Sequence, residues 1–179
     1  MYYMDLWLGL VIAAQFLMAI VALVDKYVVT STKTALRPFS YAFWISILSA
    51  GSVVVYLFSW VPVPIEGLSI PSFSNIEAPS LLVFALSITA GYAFFSALLS
   101  FFTALKSADA SDVVPVVGGL NALFTLLLSF AFLDDPLPSN FLYGFVLLVL
   151  GTFVISRFRF SGRVVLSVTH AGLMYGVHY

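Results

Sequence analysis

The sequence predicts an all-α, polytopic membrane helix bundle: five transmembrane helices followed by the opening of a sixth. Three observations carry that expectation. The 179-residue chain is 62% hydrophobic and only 8% charged. A soluble domain averages about 25% charged residues, so this chain lacks the polar groups to cover a water-facing surface. Its apolar residues gather into five stretches, Leu6–Val24, Phe39–Trp60, Leu81–Leu105, Val113–Leu133 and Phe141–Ile155. The longer ones reach the roughly 20 residues that cross about 30 Å of hydrocarbon. Finally, all seven Lys and Arg residues fall on one side of the pattern.

Lys26, Lys33 and Arg37 follow the first stretch, Lys106 the third, and Arg157, Arg159 and Arg163 the fifth. The connections after the second and fourth stretches carry only Glu66, Glu77, Asp134 and Asp135. Positive charge is retained on the cytoplasmic side of membrane proteins. The alternation therefore places the N-terminus outside and the segment Arg157–Arg163 in the cytoplasm.

Each stretch reads as a helix, because a lipid-facing segment must satisfy its own backbone hydrogen bonds. Barrel strands would be short and alternating. The first stretch follows Met1-Tyr-Tyr-Met-Asp5, which has no positive n-region, so it reads as a retained helix rather than a cleaved signal. Pro38 opens the second helix, and Pro62, Pro64, Pro71 and Pro79 keep the connection Val61–Ser80 non-helical. Ser111 or Asp112 is expected to cap the fourth helix, with Pro115 in its first turn. The tight turn Asp134–Ser139 leads into the fifth helix, capped by Ser139 or Asn140. The expected organisation is a five-helix unit over 1–156, a basic connection over 157–163 and an incomplete sixth helix over 164–179.

Several function classes have no support. No basic patch with interleaved aromatics points to nucleic acid, and the absence of cysteine excludes disulfides and thiolate-bound metals. There is no phosphate loop, no nucleophile elbow and no pair of intramembrane carboxylates. All eight acids sit at helix ends or in connections, so an enzyme is not expected, and neither is a cofactor.

The ordered set Ala104-Leu-Lys106, Ala110-Ser-Asp-Val-Val-Pro115, Leu123-Phe-Thr-Leu126, Leu133-Asp-Asp135 and Gly144-Phe-Val-Leu-Leu-Val-Leu-Gly151 resembles the end of one EamA repeat of the drug/metabolite transporter superfamily. Asp25-Lys-Tyr27 and Ser40-Tyr-Ala-Phe-Trp44 resemble the same family, so the likeness spans nearly all of Leu6–Ser156. The resemblance implies half of a ten-helix, inverted-repeat transporter of a prokaryotic plasma membrane, in which one half rocks against the other around a midplane site. Its implied partners are the lipid bilayer, a small organic solute, and a C-terminal repeat or a second copy of the chain. Helices one, three, four and six would line the path. Two departures stand out. The acidic turn carries Asp134 and Asp135 where the family has Glu, and the cations orient this half opposite to the family's usual start. Distantly related small multidrug transporters use a carboxylate in helix one for proton exchange, and none stands between Leu6 and Val24 here.

The candidate site residues each have a functional and a structural reading. Gln15, the amide of the first helix, either faces a solute cavity or bonds a neighbouring helix. Asp25 and Lys26 either form a gate by pairing with Asp109 or Asp112, or Lys26 snorkels while Asp25 is solvated. Tyr92, Ser96, Ser100 and Thr103 share one helical face and read as a cavity-lining stripe or as small-residue packing. Pro115, Gly118 and Gly119 weaken the fourth helix and read as a hinge, with Asn121 presented to the solute, or as close packing. His170 and His178 share a face, lack a third ligand for a metal, and leave His170 as a pore-facing hydrogen-bonding group. Gly144 and Gly151 are expected to serve packing.

Overall fold

The computed structural model describes residues 2–31, 36–58, 78–132, 139–155 and 161–178. They form α1 (Tyr2–Thr30), α2 (Pro38–Ala50), a 3-10 segment (Gly51–Phe58), α3 (Leu81–Ser107), α4 (Ala110–Phe132), α5 (Ser139–Ile155) and α6 (Gly162–His178). Among the described residues there is no strand. Among the described residues, three helices are long and apolar enough to cross a membrane, namely Leu8–Thr30 of α1, α3 and α4. The apolar helices of α2 and α5 are shorter, at Pro38–Val54 and Tyr143–Thr152.

Most elements stand where the apolar runs place them, with corrections at the ends. The second stretch is not one α-helix: it passes into 3-10 geometry at Gly51. Gly51-Ser52 followed by three valines explains this, since glycine loosens the backbone and β-branched side chains crowd an α-helical turn. Ser80 caps α3, its hydroxyl accepting from the Val83 amide at 3.3 Å. Helix α4 starts earlier than expected. The Asp109 carbonyl accepts from the amides of Asp112 and Val113 at 3.1 and 3.0 Å, so Ser111 and Asp112 lie within the first turn. There Asp112 complements the positive end of the helix dipole, and Pro115 sits one turn deeper, inside the helix. Ser139 and Asn140 are likewise the first residues of the helix α5 itself. Gly162 and Arg163, read as connection, form the first turn of α6. The acidic turn Asp134-Asp135 and the cations Lys33, Arg157 and Arg159 lie outside the described residues.

Helix α3 is the hub, packed against α1, α2, α4 and α6. Its largest fully buried side chains, Phe102 and Leu105, meet Val29 of α1, Val113 of α4 and Val168 of α6 in one core. Ser100 pairs with His170, and Ala90 pairs with His178. The rising number on one helix against the falling number on the other makes α3 and α6 antiparallel. Gly172 faces Leu120 and Gly176 faces Phe124, so α6 runs parallel to α4. The α6 segment is therefore a central element of the bundle. This arrangement gathers Lys106 in the last turn of α3, Arg163 in the first turn of α6, and Lys26 at one end of the molecule.

Candidate functional site

Two polar assemblies join helices. The first lies at the cation-bearing end. Helix α1 buries Ala22, Asp25 and Val29, spaced by three and four residues, so one stripe of its last turns faces the bundle. Asp25 is 8% exposed, and the Tyr41 hydroxyl of α2 donates to its Oδ1 at 2.6 Å. Next to it Lys26 Nζ donates to the carbonyls of Leu105 and Ala108 at 2.6 and 2.8 Å. A cation over the last carbonyls of a helix satisfies orphan acceptors and complements the negative end of the dipole. The expected pairing with Asp109 or Asp112 is not what forms, because the α3 terminus offers Lys26 two closer acceptors. Nor is Asp25 solvated.

The second assembly runs along the α3–α6 seam. Ser100 Oγ and His170 Nδ1 are 2.8 Å apart, so two residues singled out by sequence meet across helices seventy positions apart. Ser87, Thr89, Thr103 and Ser107 of α3 each donate instead to the carbonyl four residues earlier, the usual local outlet for a helical hydroxyl. Ser100 alone among these α3 hydroxyls reaches another helix. Further along, His178 Nδ1 donates to the Ala90 carbonyl at 3.2 Å. The Phe94 ring lies 5.0 Å from the His178 ring and 6.3 Å from the Tyr175 ring.

The other expected site residues are not assembled with these. Gln15 is exposed on α1, where no described helix covers it. Tyr92 is 70% exposed, so the stripe of α3 divides: Ser96 and Ser100 are half-buried, while Tyr92 and Thr103 face outward. Asn121 is half-buried and its Oδ1 accepts from Thr125 of its own helix at 3.3 Å. Gly118 is exposed with open space around it, whereas a β-carbon on Gly119 would fall 2.7 Å from Thr152 of α5. Gly119 is thus a contact point rather than a loose hinge. The packing expected of Gly144 and Gly151 is not seen among the described residues, where a β-carbon at either meets nothing within 4 Å. Helix α5 touches α4 through Thr152 instead.

Sequence reasoning missed Tyr41, Gly172 and Gly176. A β-carbon on Gly172 would lie 2.5 Å from Leu120 Cβ, and one on Gly176 would lie 2.9 Å from Phe124 Cβ. Their spacing of four is the small-residue signature of close helix approach, legible once the closing segment is read as helix. No signal pointed to Tyr41 as the partner of Asp25, since that contact depends on how α2 crosses α3.

Scans against models of known protein families, against curated proteins and against solved structures find no match.

Proposed function

We propose that this chain is a multi-pass membrane transporter, or one half of one, moving a small organic solute by alternating access. The observation that carries the reading is the Ser100–His170 bridge, a side-chain polar contact between two helices that pack around an apolar core cluster. Ionisable groups at such depth are costly in hydrocarbon and mark solute or ion pathways. The N-terminal two-thirds of α1 and the first turns of α3 expose Leu10, Phe16, Leu17, Leu82 and Phe84. That flank is where a second five-helix unit of opposite orientation would close the path, as in the EamA-type architecture the sequence resembles. The clasp of Asp25, Lys26 and Tyr41 would serve as the cytoplasmic gate.

A bundle with no transport role is the competing reading, and Asn121 favours it, since its amide oxygen is already engaged by Thr125. Counterflow in proteoliposomes separates the two. The transport reading expects exchange of at least one of leucine, uridine and tetraphenylphosphonium, lowered by Ser100→Ala without loss of folded yield. A bundle without a transport role exchanges none.

A further inference from the structure

We propose that His170 is a proton-binding site that couples solute movement to a pH gradient. The inference rests on the transport reading and names its coupling ion.

Position comes first. His170 is the ninth residue of the 17-residue α6, about 12 Å along the helix from its start. That places an imidazole deep in the bundle, half-buried between α3 and α6. Histidine is the one side chain whose ordinary charge change falls between pH 5 and 8. The titratable groups on the elements packed against α6 are Tyr92 and Lys106 on α3 and Asp112 on α4. Helix α6 itself adds Arg163, Tyr175 and His178. Among the described residues none of these is hydrogen-bonded or ion-paired to His170, whose Nδ1 meets Ser100 and whose Nε2 carries no partner. A charge arriving there has no fixed counter-ion among the described residues, so its cost depends on the access of water.

Chemistry comes second. In the neutral ring with the proton on Nε2, Nδ1 accepts a hydrogen bond from the Ser100 hydroxyl. When one proton binds Nδ1, the ring becomes an imidazolium and Nδ1–H donates to Ser100 Oγ. The serine proton then turns to the Ser96 carbonyl, four residues earlier, as the other hydroxyls of α3 already do. The contact survives with its direction reversed, no other atom moves between groups, and the charge rises by one. Ser100 is thus a positioning residue that holds the ring in both states. The charged ring favours the conformation that opens the seam to water, and the neutral ring favours the closed one.

The test uses the full chain in proteoliposomes with a pH difference across the membrane and radiolabelled leucine, uridine and tetraphenylphosphonium as probes. One proton per solute allows up to about tenfold accumulation or depletion per pH unit. The native chain should approach that ratio for the probe it exchanges. His170→Gln should lose the response to the gradient in whatever exchange between equal pools it retains, while Gly91→Ala, where an added methyl meets nothing within 4 Å, should keep both exchange and response. An independent reading is nitrogen NMR of the imidazoles in nanodiscs, where His170 Nδ1 should change from hydrogen-bond acceptor to donor on going from neutral to acidic buffer, and Ser100→Ala should alter that change. Gradient-driven accumulation by His170→Gln overturns the inference and leaves transport standing. So does a native His170 Nδ1 that keeps one hydrogen-bonding role in neutral and acidic buffer, a result that does not require the variant to fold. Absence of any exchange by the native chain overturns both.

Discussion

Tyr41 Oη donates to Asp25 Oδ1 at 2.6 Å, tying the start of α2 to a carboxylate that α1 buries among apolar neighbours. Removing the hydroxyl leaves an oxygen of a buried acid short of a donor, which costs about 1–3 kcal/mol. Tyr41→Phe should therefore lower the unfolding midpoint in detergent or nanodiscs. In the Asp25→Ala background, where no acceptor is left, the same change should cost less, because the two groups act as a pair. Equal losses in both backgrounds would show that the bond contributes nothing of its own.

Lys26 is the tie between α1 and the end of α3. Lys26→Met keeps the aliphatic stem and removes both bonds to Leu105 and Ala108, at an expected cost of about 1–3 kcal/mol. Hydrogen exchange gives the local readout. The Ala108 amide, bonded to the Ala104 carbonyl at 2.9 Å, should exchange faster in the variant, while amides near Ala90 are unchanged. Protection that stays the same at Ala108 would remove Lys26 from the role of cap.

The glycines divide by surroundings. At Gly172 and Gly176 an added methyl meets the Cβ atoms of Leu120 and Phe124, which are fixed to the α4 backbone and cannot swing away. Gly172→Ala and Gly176→Ala should each destabilise by about 1–3 kcal/mol through overpacking. At Gly91 and Gly118 nothing lies within 4 Å, so alanine should be neutral or stabilise by up to about 1 kcal/mol through helix propensity. Thermal unfolding of the four variants checks the contrast, and an inverted order would mean that α4 and α6 do not approach as described.

Sidedness is testable because the chain contains no cysteine. Single cysteines at Lys106 and Arg163 should react with an impermeant maleimide from the same side of the membrane. One at Ser80, which precedes the opposite end of α3, should react from the other side. Labelling of Lys106→Cys and Ser80→Cys from one side would contradict a spanning α3.

Much of this architecture was legible in the sequence, and the reasons differ by element. Long apolar runs located α1, α3 and α4 because hydrocarbon forces helical self-satisfaction regardless of neighbours. The break at Gly51 was harder to see, as apolar content continues to Trp60 while backbone geometry changes. Ser100 and His170 were each singled out for chemistry, yet their meeting depends on the antiparallel pairing of α3 with α6, a register that composition does not encode. Gln15 and Tyr92 show the converse. Polarity in an apolar helix suggests an inward face, but the described helices leave both exposed. Lys26 found backbone carbonyls rather than carboxylates because helix ends are invisible as charges in a sequence.

The most direct measurement is solute counterflow by the purified full chain reconstituted at one defined pH, with leucine, uridine and tetraphenylphosphonium tested side by side. Saturable exchange of at least one probe is predicted, reduced about tenfold or more by Ser100→Ala, the loss expected from about 1.4 kcal/mol at the site. Folded, membrane-inserted protein that exchanges none of the three, or that exchanges one with Ser100→Ala indistinguishable from the native chain, would contradict a transport path along the α3–α6 seam.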